Sequence, residues 1–216
     1  MSIKNTYAVF GLGRYGLAVA KELSASGAEV LAVDINQSIV NNAIEHLPIC
    51  KCADITDPEV IKQLGISNID TVIIAMANNL EASVMAVMLC KEAGVKQIIV
   101  KSGSEMHQKI LHRIGADKVI FPENESGQRL AKNLLSSGFV DIIELSGEIS
   151  MIEMDVKPEW VGKSLIELNL RKKYSINIVA VRNGEILSTD IVPDAPLTKD
   201  MKLIILINKS KISKLV

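Results

Sequence analysis

The chain has 216 residues, a formal net charge of −1 and a 48% share of hydrophobic residues. That balance excludes bulk electrostatic attraction to nucleic acid or anionic lipid, and it supplies one medium core plus a smaller second one. Aromatics are only 3%, so the core is Val, Ile, Leu, Ala and Met, the interior of a parallel sheet covered by helices on both faces.

The first strand reads Tyr7–Phe10. It runs into Gly11-Leu-Gly-Arg-Tyr-Gly16, which matches G-x-G-x-x-G. Gly11 permits a tight turn, Gly13 lets a pyrophosphate approach the backbone, and Gly16 lets the following helix pack closely. Free N–H groups at the helix start, from about Arg14, then face the phosphates with the helix dipole behind them. Lys4 and Asn5 lead straight into this strand, so no signal peptide is expected and the chain is expected to be cytoplasmic. The second strand, Glu29–Val33, ends in Asp34. A carboxylate there accepts hydrogen bonds from ribose hydroxyls and repels a 2′-phosphate, which disfavours NADP. Arg14 inside the loop can pair with phosphate oxygens. That suits NAD, and it suits the free terminal phosphate of ADP or ATP better. The alternative is a solvated arginine, although a cation at a helix N-terminus is unfavourable without an anion.

Further strands read at Ile49–Lys51, Thr71–Ala75, Gln97–Val100 and Lys118–Ile120, with helices from about Asn36, Asp57, Asn79 and Ser104. Asp57-Pro58 places an N-cap before a first-turn proline. Gly27, Gly94 and Gly115 fall where helices stop. Strands and helices alternating at this spacing predict an α/β fold, a Rossmann-like doubly wound parallel sheet with its ligand at the carboxyl ends of the strands. The longest apolar stretches, such as Val72-Ile-Ile-Ala-Met-Ala77, fall far short of the roughly 20 residues of a membrane helix. Cys50, Cys52 and Cys90 lack a second pair for a zinc site and read as reduced, mostly buried thiols. His46, His107 and His112 lack ligand spacing.

Another helix reads from about Ser126 to Leu135, and Ser136-Ser137-Gly138 reads as a hinge. The pattern then changes. Strands read at Ile142–Leu145 and Ile149–Met154, a short helix at Lys163–Leu168, and a hairpin joins Ile176–Arg182 to Glu185–Leu187 through Asn183-Gly184. A loop over Asp194–Asp200 and a final strand at Lys202–Ile207 complete a small α+β C-terminal domain. The expected division is 1–136 for the nucleotide-binding domain and 137–216 for the linker and C-terminal domain.

Five features in combination resemble a known family: Gly11-Leu-Gly-Arg-Tyr-Gly16, Ala32-Val-Asp34, Ala53-Asp54, Ile99-Val-Lys101 and Gly115-Ala-Asp-Lys-Val-Ile-Phe-Pro-Glu123. Gly162-Lys-Ser-Leu-Ile-Glu-Leu-Asn-Leu-Arg171 and Val179-Ala-Val-Arg-Asn-Gly184 resemble its C-terminal module. The family is the cytoplasmic regulatory subunits of Ktr/Trk potassium uptake systems, built from regulator-of-potassium-conductance modules. The resemblance implies gating rather than catalysis. It implies homo-oligomers, dimers assembled four to an octameric ring, docked under a membrane potassium-translocating subunit. ATP and ADP would exchange in the N-terminal module, and cyclic di-AMP would bind some C-terminal modules at the dimer interface. The chain would sit peripherally on the inner face of the membrane, with no insertion of its own.

Carried onto this chain, the resemblance puts Gly11, Leu12, Gly13, Tyr15 and Gly16 along the phosphates with Arg14 paired to them. Asp34 would hold the ribose, with Ile35 flanking the base and Asp54 and Ile55 lying by adenine. Ala75 and Met76 would border the site, and Lys101 would face the phosphates. Glu123 would help hold a divalent cation such as Mg²⁺ or Ca²⁺ near the terminal phosphates. In the C-terminal module Asn169, Leu170, Arg171, Asn177, Ile178 and Pro193 would line a cyclic di-AMP groove. Plainer readings stand beside these: Asp54 as a turn cap before Thr56, Lys101 as a snorkelling surface lysine, Glu123 as a carboxylate favoured by the helix dipole, Leu170 and Ile178 as core, and Arg171 as a solvated charge. The rival function is a small NAD-dependent oxidoreductase or an NADH-sensing binding protein. No Tyr-x-x-x-Lys pair exists for the former: Tyr7, Tyr15 and Tyr174 are followed four residues on by Gly11, Val19 and Ile178.

Overall fold

Residues 5–135 and 139–215 are described by a computed structural model. Contacts divide the chain into two units, the first ending at Pro122 and the second starting at Glu123. The helix that the sequence groups with the first domain therefore belongs with the second unit, and the expected hinge at Ser136-Ser137-Gly138 lies outside the described residues.

The first unit holds β1 (Thr6–Phe10), α1 (Arg14–Ala25), β2 (Glu29–Asp34), α2 (Gln37–Ile44), β3 (Ile49–Cys52), α3 (Pro58–Gln63), β4 (Thr71–Ile74), α4 (Leu80–Glu92), β5 (Gln97–Lys101), α5 (Glu105–Arg113) and β6 (Lys118–Ile120). The six strands are parallel in the order β3-β2-β1-β4-β5-β6. Strand order reverses between β1 and β4, which opens a crevice at their carboxyl ends. Strand residues alternate between two cores, as period-two geometry requires. Ala8, Phe10, Val72 and Ile74 pack with α4 and α5 on one face; Val9, Ala32 and Ile73 pack with Ala20 and Ala43 on the other. Caps fall where the sequence signals them. Asn36, Asp57, Asn79 and Ser104 each accept a bond from a first-turn N–H of the helix that follows. The three stop glycines all have positive φ.

The cysteines correct the sequence reading in part. All three are free and Cys90 is buried, but Cys50 is half-buried and Cys52 exposed. β3 ends the sheet, so among the described residues it has a strand neighbour, β2, on one side only. Burial pushes the Cys90 thiol up to about 12, which makes it inert at neutral pH.

The second unit holds α6 (Pro122–Leu135, its proline counted with the first unit), β7 (Phe139–Glu144), β8 (Ile149–Asp155), α7 (Leu165–Leu168), α8 (Leu170–Tyr174), β9 (Asn177–Asn183), β10 (Ile186–Ser188) and β11 (Met201–Asn208). Its sheet is antiparallel, in the order β10-β9-β11-β8-β7. Ile152, Met154, Trp160, Leu168, Leu170, Leu203 and Ile205 form its core. α6 starts at Pro122 rather than near Ser126, because proline fits the first helical turn and Glu123 and Glu125 complement the dipole there. Ser164 and Glu167 close a capping box at the start of α7. The segment after α7 is a second short helix, α8. Asn169, at φ 47°, separates α7 from α8 and Ser175, at φ 57°, ends α8. Asparagine tolerates that left-handed region better than most residues.

Candidate functional site

The three loop glycines do three different jobs. Gly11 has φ +86°, and a Cβ there would lie 2.7 Å from Met76 Cγ. A Cβ on Gly16 would lie 1.9 Å from the Gly11 carbonyl oxygen, so only glycine lets α1 start this close to β1. A Cβ on Gly13 would meet nothing within 4 Å. That open face is where a phosphate can reach the backbone. No side chain caps α1, and its first turn carries no acid. The positive end of the helix is thus left for an external anion.

Asp34 ties this loop down. Leu12 N–H donates to its Oδ2 at 2.7 Å, and Asn36 N–H donates to its Oδ1 at 2.8 Å. Beside it lies a cleft of about 310 Å³ lined by Gly11, Asp34, Ile35, Asp54, Ile55 and Met76. These are six of the residues singled out from sequence. Ile35 is 68% exposed, a free apolar face at the cleft rim, whereas Ile55 is a core residue forming the floor. Asp54 accepts from Thr56 Oγ1 at 2.7 Å and from Thr56 N–H at 2.9 Å. The Thr56 hydroxyl, then its N–H, hold the Asp54 carboxyl below the usual range. Asp54 is therefore a turn cap and a cleft wall together.

Other predicted residues lie around this cleft without lining it. The Leu12 side chain is buried in the core, so only its backbone faces the loop. Gly13, Arg14, Tyr15 and Gly16 form the glycine turn and helix start. Ala75 N–H donates to Phe10 O at 2.7 Å, which holds the end of β4 against β1. Lys101 sits with its Nζ 5.6 Å from the centre of the Tyr15 ring, a cation–π contact beside the loop. Asn79 and Thr56 also line the cleft and were missed. Their signals were local, a cap before α4 and an Asx turn, and neither pattern by itself points to a ligand.

In the second unit a groove of about 500 Å³ is lined by Asn169, Leu170, Arg171, Asn177 and Ile178, together with Ile166. Leu170 is core as well as wall, at 3% exposure, while Arg171 and Asn177 are exposed. Pro193 is not in the wall but beside it, its carbonyl accepting from Ile166 N–H at 3.3 Å. Glu123 is exposed in the first turn of α6. Among the described residues, no group of three or more His, Cys, Asp or Glu is placed to hold a metal.

A TrkA-N domain matches residues 7–122 and a TrkA-C domain matches residues 149–216. The chain belongs to the TrkA family. The TrkA-N match ends at Pro122, where the contacts also divide the chain. Ktr system potassium uptake protein C of Bacillus subtilis (strain 168), a TrkA relative, is 37% identical over 204 residues, 94% of this chain and 92% of its own. The GsuK channel bound to NAD shares the fold with a TM-score of 0.71 at 18% identity, over 99% of this chain and 39% of that one. GsuK bound to ADP gives 0.53 at 22% identity, over 62% of this chain and 34% of that one. TrkA membership sets aside the oxidoreductase reading. Among the described residues no helix is long and apolar enough to cross a membrane.

Proposed function

We propose that this chain is the nucleotide-binding regulatory subunit of a potassium uptake system. Adenine nucleotides bind the cleft beside Asp34, and the nucleotide bound sets the gate of a membrane potassium-translocating subunit. The observation that carries this is the open face of Gly13 at an uncapped helix start, next to a carboxylate at the end of β2. Phosphates lie on the Gly11–Gly16 backbone with Arg14 and Lys101 as their cations, and the adenine lies by Ile35, Asp54, Ile55 and Met76, with Ala75 behind. The subunit works as a homo-oligomer, dimers in an octameric ring, on the cytoplasmic face of the membrane. Two states of that ring differ in their affinity for ATP and ADP, and this difference is the coupling. A divalent cation at Glu123 offsets the repulsion of paired triphosphates. Cyclic di-AMP takes the Asn169–Ile178 groove, with Arg171 on a phosphate.

NAD is the second ligand this cleft suits, since it needs the same ribose carboxylate and glycine turn, and a structural neighbour is the GsuK channel bound to NAD. Calorimetry with ATP, ADP, NAD, NADH, NADP and cyclic di-AMP tests the reading. ATP and ADP should bind more tightly than NADP, and binding of cyclic di-AMP should be lost in Arg171→Ala alone. Failure of any adenine nucleotide to bind would sink it.

A further inference from the structure

The C-terminal module carries another concave site. A pocket of about 220 Å³ opens beside β9 and β10, walled by Val181, Ile191, Val192, Leu197 and Met201. Ile186 and Val192 at its rim are 73% and 62% exposed. β10 is the end strand of its sheet and among the described residues pairs only with β9, so its outer edge carries no strand there and can accept one.

The rim is negative. From Asn183 to Asp200 the chain has four carboxylates, Glu185, Asp190, Asp194 and Asp200, against one base, Lys199. Asp190 lines the pocket, and Glu185 and Asp194 each adjoin a lining residue. None of the three is ion-paired among the described residues. The base that precedes the segment, Arg182, is already bound to Glu153 at 2.8 Å.

An apolar pocket, an open strand edge and a rim with net negative charge fit a polypeptide. Its segment must be extended and must carry an apolar anchor flanked by positive charge. Anionic lipid and nucleic acid would be repelled. A second copy in an isologous contact would set acid against acid. Cytoplasmic segments of membrane proteins carry the required excess of Lys and Arg beside apolar ends. We propose that this pocket takes an extended, basic cytoplasmic segment of the membrane potassium subunit, with one apolar side chain inserted beneath Val192. The identity of that partner rests on the regulatory function proposed above. Leu165 of α7 lines both this pocket and the Asn169–Ile178 groove, so an occupant of either bears on the same side chain.

The test measures binding of the full-length chain to the membrane subunit in nanodiscs, at low and at physiological salt. Asp190→Asn with Asp194→Asn should weaken binding, Asp190→Lys with Asp194→Lys should weaken it at least about tenfold, and added salt should weaken the wild type. Val192→Arg should do the same by blocking the pocket. ADP affinity, particle size and unfolding temperature should not change. Wild-type binding that all these variants retain overturns the docking site and leaves the regulatory reading intact. No binding by the wild type overturns both. A smaller particle in the variants assigns the pocket to a contact between copies and overturns the proposal.

Discussion

Asp34 anchors the glycine loop, and under the proposed function the same carboxylate holds the ribose. Its two oxygens already accept from Leu12 and Asn36, yet each keeps a lone pair for a ribose hydroxyl. Asp34→Ala should therefore loosen the glycine turn as well as remove a ribose bond. ADP, ATP and NAD should all weaken, by roughly 10- to 150-fold, the worth of a hydrogen bond of about 1.5–3 kcal/mol to a charged group. Arg14→Ala should weaken ATP far more than adenosine in the same calorimetry; equal losses would end its phosphate role. The place of Asp34 at the end of β2 and in the cleft wall was legible in the sequence, because a strand-end acid after a glycine turn is a local pattern. The bond to Leu12 was not, since it depends on how two loops 22 residues apart approach. Asp70 makes a different residue-scale case. Lys96 at 2.6 Å, then the Thr6 N–H and hydroxyl, hold its pKa at about 2, below its usual 3.8. A depressed carboxylate stabilises the fold above its unfolded pKa, and that contribution fades as pH falls from 3.8 toward 2. Asp70→Asn should be less stable than wild type at neutral pH, and urea titrations should show the gap closing across that acid window. A gap that is constant with pH would show the Asp70 bonds to be without consequence. Lys96 is largely exposed, so salt should screen its part and leave the Thr6 bonds.

At the scale of elements, the start of α1 is where fold and function separate. Gly16 is required by packing, whereas a Cβ on Gly13 would meet nothing, so the proposed phosphate contact is what would require glycine there. Gly16→Ala forces a Cβ into the Gly11 carbonyl and should cost about 1–3 kcal/mol or more of stability. Gly13→Ala puts a methyl into open space at φ −63°, which alanine adopts freely, so stability should change by less than about 1 kcal/mol while nucleotide affinity falls at least about tenfold. Thermal unfolding and calorimetry on the two variants check this; equal destabilisation would contradict the division. The parallel strands and their helices were legible because the strands carry their own period, α1 follows the glycine motif and α2 to α5 each have a capping side chain. The second unit was less so. Lys172 and Lys173 in α8 follow a left-handed asparagine, and a helical turn that short leaves no periodic trace. The start of α6 reads near Ser126 although the helix begins at Pro122, because a proline ahead of a helix and one inside the first turn look alike in sequence.

At the scale of the whole molecule, the chain carries a Rossmann-like unit with the Asp34 cleft and an α+β unit with two concave sites of its own. Oligomer size, metal and membrane partner were not legible from residue patterns, since each needs more than one chain. If two Glu123 carboxylates meet at a dimer axis, a hard cation must sit between them and the terminal phosphates. Mg²⁺ or Ca²⁺ should then raise ATP affinity and leave ADP affinity nearly unchanged, and Glu123→Gln should erase the difference. A metal effect equal for both nucleotides would remove Glu123 from the site. The central claim is that nucleotide in the Asp34 cleft controls potassium flux, and the most direct measurement is potassium uptake by proteoliposomes holding the membrane subunit with this chain. Flux should differ between ATP and ADP, and Asp34→Ala should abolish that difference while leaving the complex assembled. Flux that is the same in ATP, ADP and no nucleotide, from an assembled complex, would contradict the account.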